Sequence, residues 1–445
     1  MTIPLKQTLL CVFVFLLPWQ THLLVSTGMI GDVIHPFAEA KIFLTEIFVL
    51  LAALAVLWER PKIDASSRRV IVLAVLVFVS ATLSLIANGA TAHGLSMLDH
   101  LFVAMLFFTL LLDRDVHILP LLIAFCAGLV VPSLLGIWQV LFDSSFASTL
   151  LGLAHRDAQQ LGDAVTIAAD GTRQLRAYGS FSHPNIFGGY LAVAVFALWG
   201  SMKKEKGVRS WSASWRRNFA LLLLLVVVLF FTASRSAILG LLLGIGLVQF
   251  VRFMSVKCRN GVVRARLLVV PIAIAVIGSA LFISYAEPNV VASIRGGGIT
   301  EDRSLDERKE QFADFPAVVA GHMMFGNGMG SYVLAAYSAK TCTGWDCQPM
   351  HNTLLLILAE LGVVGLVVVI AWSSTIDRIN FARFPNPDAL VAFAMGNVIL
   401  IILFFDHYIW STWSGLALIA FVMALTVRMG EKQEKGSGLV ITHFE

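Results

Sequence analysis

One pattern recurs along the whole chain: an apolar run of about 20 residues, then a short break carrying Lys or Arg. The core of a bilayer holds no water, so a backbone that crosses it must pair its own N–H and C=O groups, and a continuous run of this length does so as a helix. Composition agrees. Of 445 residues, 58% are hydrophobic and 13% charged, where a soluble domain carries about 25% charged residues. The sequence predicts an all-α polytopic membrane protein, with residues 1–445 as a single integral membrane domain. No polar stretch is long enough for a separate soluble domain. The net charge of +4 is spread over many breaks and points to no nucleic-acid partner. Its distribution carries more information than its total.

Twelve transmembrane helices are readable, near 8–25, 38–58, 69–88, 97–113, 117–142, 186–202, 218–233, 235–254, 267–285, 352–374, 389–405 and 408–427. The first follows Lys6. Pro18, Trp19 and His22 interrupt it and no clean small-x-small site follows, so it reads as a retained helix rather than a signal peptide. With both termini cytoplasmic, the inner breaks hold Lys6, the Arg60–Arg69 group, Arg114, the Lys203–Arg217 group, the Arg252–Arg266 group, Arg378, Arg383, Arg428, Lys432 and Lys435. That is 22 of the 32 Lys and Arg residues, which fixes the orientation by the positive-inside rule. The polar tail is 428–445. Two outer segments are long, 143–185 and 286–351. Loops of this length usually carry function. The second is expected to be partly helical over 303–320 and then to turn at Phe325-Gly326-Asn327-Gly328-Met329-Gly330.

Several polar residues stand out against this background. Arg235, in Thr232-Ala233-Ser234-Arg235-Ser236, lies on the outer side, where positive charge is depleted. It either snorkels at the boundary or, with Ser234, Ser236 and the outward N–H groups of the helix that starts there, binds an anion. His351, followed by Asn352, heads the tenth span on the same face. It is either a satisfied structural histidine or a base with a pKa near neutrality. Arg176, with Arg173 nearby, precedes Gly179-Ser180-Phe181-Ser182-His183-Pro184-Asn185. Pro184 and Asn185 suit a helix start, and Gly188 and Gly189 suit close helix approach. His183 is either a pocket residue or a local hydrogen-bonding group. Other polar residues near spans are Glu46, Asp99, His100, Glu360, Asp406 and His407. Intramembrane carboxylates such as Glu46 and Glu360 would also suit a transport path, although no half-to-half repeat of the kind transporters show is visible. Cys342 and Cys347 share the outer loop, where an oxidising compartment favours a disulfide over free thiols. Two thiols do not complete a zinc site, and no metal or cofactor is expected.

Three elements together resemble the bacterial O-antigen ligase and polymerase superfamily. His351-Asn352, nine residues, Gly362, two residues and Gly365 is similar to its H-[NSQ]-x9-G-x-x-G signature. Arg235-x3-Leu239 resembles its R-x3-L element, and the Arg176 segment is similar to the one before its middle spans. The likeness is best over 170–370. It implies a GT-C-like glycosyltransferase of the bacterial inner membrane with its site on the periplasmic face. The donor would be a glycan on undecaprenyl diphosphate. The acceptor would be a hydroxyl: lipid A-core for a ligase, a growing chain for a repeat-unit polymerase of O-antigen, capsule or exopolysaccharide. Arg176 and Arg235 would bind the diphosphate and His351 would deprotonate the acceptor, without metal and with inversion. Arg173, His183, Asn185, Ser234, Ser236 and Asn352 would line the substrate site. Either Arg303 or Arg308 would supply a loop arginine. A polysaccharide or lipid transporter is the alternative of a different class.

Overall fold

A computed structural model of the chain describes residues 4–56, 61–167, 171–202, 213–254, 299–384 and 386–431. The expected span at 267–285, the start of the second outer loop and the tail beyond 431 lie outside the described residues. The architecture is mostly helical. Among the described residues, six helical segments are long and apolar enough to cross a membrane: Ala65–Ala87, Ala92–Leu111, Ile118–Phe142, Pro184–Ser201, Thr353–Phe381 and Pro387–Phe405. Four shorter apolar helices join them: Leu5–Leu16, Glu46–Val56, Arg235–Val251 and Trp413–Arg428. The chain is thus a multi-pass membrane protein.

The first two expected spans need correction. The helix α1 (Leu5–Leu16) stops short of Pro18, which has no backbone N–H to continue the helical hydrogen bonds. The rest of that apolar run becomes β1 (His22–Ser26), paired antiparallel with Ala40–Phe43. The second helix, α2, accordingly begins only at Glu46. The all-helical expectation also fails in the first outer segment, where Ser144–Ser145 pairs with Arg156–Asp157 and Val165–Ile167 with Arg173–Leu175. These short antiparallel ribbons pair their backbone where no helix could form around so many turn residues.

Pro184–Ser201, here α7, is the central helix. Nearly every residue from Ile186 to Trp199 is buried, as expected of a helix apolar all round. His183 caps it, accepting from the Asn185 N–H, and Pro184 occupies its first turn. Gly188 lets the 232–234 turn press against it: a Cβ there would lie 2.7 Å from the Ser234 Cβ. On the other flank Gly189 faces the Tyr408 hydroxyl. The two glycines therefore draw both the turn before Arg235 and the segment after Asp406 toward the start of α7.

The other end of the bundle is closed by charge. Lys6 Nζ donates to Asp113 Oδ2 at 2.6 Å, with the side chains 2% and 1% exposed. Arg428 donates to the carbonyls of Leu111 and Val116, and Arg383 pairs with Glu431 at 3.1 Å. Removing one partner of a buried ion pair strands the other. Asp113→Ala is therefore expected to cost roughly 3–5 kcal/mol, read as a lower unfolding midpoint in detergent. Lys6→Met combined with Asp113→Leu should recover most of the loss.

Candidate active site

Arg176 is placed by a short extended segment pinned on both sides. Leu175 N–H donates to Asp143 Oδ1. The N–H groups of Tyr178 and Gly179 both donate to Gln139 Oε1 at 2.8 Å. The Ser180 hydroxyl donates to the Pro18 carbonyl. Ala177 N–H reaches the Phe231 carbonyl at 3.0 Å, so this segment runs along the turn that leads into the helix headed by Arg235. The Arg176 guanidinium donates through Nε to the Thr232 carbonyl at 2.8 Å and through Nη2 to Asn185 Oδ1 at 2.7 Å.

Asn185 passes the connection on. Its Nδ2 donates to Asp406 Oδ2 at 2.7 Å. Asp406 sits between the helices Pro387–Phe405 and Tyr408–Ser411, 3% exposed. Its other oxygen accepts from the His407 N–H at 2.8 Å, and its carbonyl accepts from the Thr353 hydroxyl at 2.7 Å. The His407 ring lies edge-on to the His351 ring at 5.1 Å. A continuous path of polar contacts therefore joins the Arg176 loop, the start of α7, the Asp406 corner and the head of the helix that follows His351.

His351 is held from the second long loop. The helix Ile299–Val319 brings up Gln311, whose Oε1 lies 3.0 Å from both the backbone N and Nδ1 of His351. On the same helix Arg308 is close enough for its charge to act on His351, His407 and Arg235. Its Nε is buried and makes no hydrogen bond among the described residues. Of the two candidate loop arginines, Arg308 thus faces the cluster; the Arg303 side chain lies outside the described residues. Burial, with His407 and Arg308 nearby, pushes the His351 imidazole down to about 4, against smaller opposing effects of Asp406 and Glu307. Burial would raise the Asp406 carboxyl, but the surrounding histidines hold it below the usual carboxylate range. Burial and the Arg235 charge bring Arg176 down to about 10, so it stays cationic at neutral pH.

A stability consequence follows from His351. Between its ordinary pKa near 6.5 and its folded value of about 4, the unfolded chain binds more protons than the folded one. Stability is then full above pH 6.5 and falls as the pH drops toward 4. Unfolding midpoints recorded from pH 7.5 to 4.5 should decline, and His351→Phe should flatten that decline.

The remaining expected site residues separate into two groups. Arg235 is exposed at the head of its helix, and its charge bears on Arg176. Ser234, at that same helix start, is 1% exposed and its Oγ has no hydrogen-bond partner among the described residues. Ser236, partly exposed, is in the first turn. Asn352 caps the helix after His351, accepting from the Leu355 N–H at 3.0 Å and donating to the Phe404 carbonyl. Arg173 points elsewhere: it donates to the Ala158 and Gln160 carbonyls and braces the ribbon loop. Cys342 and Cys347 form a disulfide, which ties the loop shortly before His351. Glu46 Oε1 lies 2.7 Å from His100 Nδ1, and Trp410 Nε1 donates to Glu360 Oε2 at 2.7 Å. Both membrane carboxylates therefore have close polar neighbours. Glu46, Asp99 and His100 offer ligand atoms within 4.8 Å of one another, but the Glu46–His100 contact already uses two of them.

Asp406 and Gln311 were not singled out by sequence as site residues. An acid between two spans joined by only two residues was the available signal for Asp406. Gln311, one polar residue among many on a charged loop helix, gave none.

One comparison with a protein family bears on part of this cluster. Residues 220–370 match the O-antigen ligase family. The match takes in Arg235, Arg308, Gln311, His351, Gly362 and Gly365 and supports the O-antigen ligase/polymerase superfamily. Arg176, Asn185 and Asp406 lie outside the matched stretch and join it only through the contacts described above. No curated protein matches the chain.

Proposed function

We propose that this chain is an O-antigen ligase-type transferase that moves a glycan from undecaprenyl diphosphate to an acceptor hydroxyl, lipid A-core or similar, at the periplasmic face of the inner membrane. The observation that carries the reading is the contact path from Arg176 through Asn185 and Asp406 to His407 and His351. It links the Arg176 cation to the His351 imidazole through hydrogen bonds and a ring contact, at helix ends that the Lys and Arg distribution would put on the outer face.

The chemistry assigns a role to each group. As the acceptor oxygen attacks the anomeric carbon, its proton passes to His351. The bond from that carbon to the phosphate oxygen breaks, and its electron pair stays with the diphosphate. Arg176 and Arg235, aided by Arg308, stabilise the charge that builds there. The N–H groups at the start of the Arg235 helix add to that field. Direct attack inverts the anomeric carbon, and the arginines supply the charge that a metal ion could otherwise provide. Asp406 is not assigned the base role, since both its oxygens already accept hydrogen bonds within the fold. Instead it orients Asn185, and through it Arg176.

Reconstitution tests the proposal. The purified full chain is placed in vesicles with undecaprenyl-diphosphate-linked O-antigen, with and without lipid A-core. Transfer that requires lipid A-core supports the ligase. Chain extension without it supports the polymerase. Movement of the lipid-linked glycan across the vesicle with no transfer under either condition would overturn both.

A further inference from the structure

The contacts around His351 specify which of its two nitrogens can act, and one residue outside the arginine–histidine set is responsible. Gln311 Oε1 lies 3.0 Å from the His351 backbone N and 3.0 Å from its Nδ1. The backbone N can only donate, so the Gln311 atom facing it is the carbonyl oxygen and not the amide nitrogen. The Gln311 amide group is turned the other way, toward the Pro349 carbonyl at 3.4 Å, which agrees with that orientation. An amide oxygen has no proton to give. Nδ1 of His351 must therefore be the protonated nitrogen, and in the neutral ring Nε2 carries the lone pair.

We propose that Gln311 is a positioning residue that locks His351 in the Nδ1–H tautomer and so presents Nε2 as the proton acceptor. The proposal rests on the reading of His351 as the base. His183, at the far end of the contact path, shows the contrast. Its Nδ1 accepts from the Asn185 backbone N–H at 3.1 Å, so its proton is on Nε2 and the ring offers a donor. The two histidines thus have opposite tautomers, each set by an amide neighbour: one ring presents a base, the other a hydrogen-bond donor.

The lock matters because an unconstrained histidine ring prefers its proton on Nε2, the form that is useless here. Proton flow balances without further reagents. The acceptor O–H bond breaks, its proton lands on Nε2, and the new C–O bond forms as the glycan leaves the diphosphate. The imidazolium keeps Nδ1–H on Gln311 Oε1 throughout and afterwards gives the Nε2 proton to the diphosphate product. Gln311 stays neutral, so it orients the ring without adding negative charge to it.

Substitutions separate this role from a structural one. Gln311→Met keeps the length of the side chain and removes the acceptor. It is expected to lower kcat by roughly 10²-fold with KM for donor and acceptor little changed. Gln311→Glu keeps an acceptor for Nδ1–H and adds a carboxylate. It should retain activity at neutral pH and above, and move the acid limb of the kcat–pH profile up by about one unit or more. The other charged and titratable groups facing His351 are Arg308 and Glu307 on the same loop helix, and Asp406, His407 and His183 across the cluster; all remain in both variants.

A direct readout needs no substrate. Nitrogen-15 shifts of histidine-labelled full-length protein distinguish the two tautomers. Among the 11 histidines, the signal missing in His351→Ala identifies the ring. It should report Nδ1–H in the wild type and Nε2–H in Gln311→Met. A wild-type Nε2–H signal overturns the proposal, as does Gln311→Met within about twofold of wild-type kcat. Equal losses in Gln311→Met and Gln311→Glu with an unmoved pH profile also overturn it. If Gln311→Met fails to fold, the wild-type spectrum and the Gln311→Glu profile still decide. Full transfer activity in His351→Ala would instead defeat the base assignment, whatever the tautomer.

Discussion

His351→Ala is expected to reduce glycan transfer by about 10²–10⁴-fold while leaving donor binding nearly intact. The backbone N–H of residue 351, which also holds Gln311, survives the substitution, and Asn352 still caps the helix that follows. What disappears is the nitrogen lone pair. Asp406 spends its oxygens on Asn185 and His407, and His407 Nδ1 is 2.6 Å from the Ser411 hydroxyl. The loss should therefore appear in kcat and not in KM for the lipid-linked donor. Arg235→Ala provides the contrast: a charge that meets the diphosphate in the bound state as well as in the transition state should weaken donor binding too. Transfer assays combined with binding of undecaprenyl diphosphate to each variant separate the two patterns. Normal turnover in both would sink the site assignment.

How much of this was legible in the sequence depends on the range of the interaction. Hydropathy and charge are summed over 20 residues at a time, so helices such as Ala65–Ala87 and Pro387–Phe405 emerge directly from composition. Pro18 was visible as an interruption, yet that the chain beyond it forms the strand His22–Ser26 depends on the partner Ala40–Phe43, which no local pattern announces. The arginines and His351 stood out because charge is costly near a membrane. Asp406 is just as costly, but its meaning lies in its contact with Asn185, 221 residues away. Such a contact is set by how α7 packs and not by neighbouring sequence. Arg173 misled for the converse reason: its charge looks like that of Arg176, and only the fold shows it spent on loop carbonyls. Gly362 was conspicuous by its spacing from His351, while its physical purpose was hidden until the backbone was seen.

That purpose leads to the second large effect. Replacing Gly362 by valine should remove most of the folded, active protein. The helix Thr353–Phe381 is broken at Gly362, which has φ 70° and ψ −173°, a region essentially closed to residues with a Cβ. The break frees backbone groups that a bilayer cannot satisfy. The glycine-rich loop supplies their partners: Asn327 N–H donates to the Ala359 carbonyl at 2.8 Å, Gly328 N–H to the Glu360 carbonyl at 3.0 Å, and Val363 N–H to the Met323 carbonyl at 2.8 Å. The Ser84 hydroxyl adds a second donor to the Glu360 carbonyl. A Cβ on residue 362 would lie 2.5 Å from the Phe325 backbone nitrogen, so the loop would have to leave. The dihedral strain alone costs about 1–3 kcal/mol, and each buried backbone group left unpaired adds roughly 1–3 kcal/mol. The loop continues directly from the helix that carries Arg308 and Gln311, so its release also withdraws those two from His351. Gly362→Val should therefore show a sharply lower yield of folded protein, new protease cleavage near 321–328, and transfer reduced as severely as in His351→Ala. Gly246→Ala is the control: it lies within a helix, with open space where its Cβ would go, and should match or exceed the wild type in stability. A Gly362→Val protein that folds, resists cleavage and transfers normally would show that the break is not what seats the loop against the site.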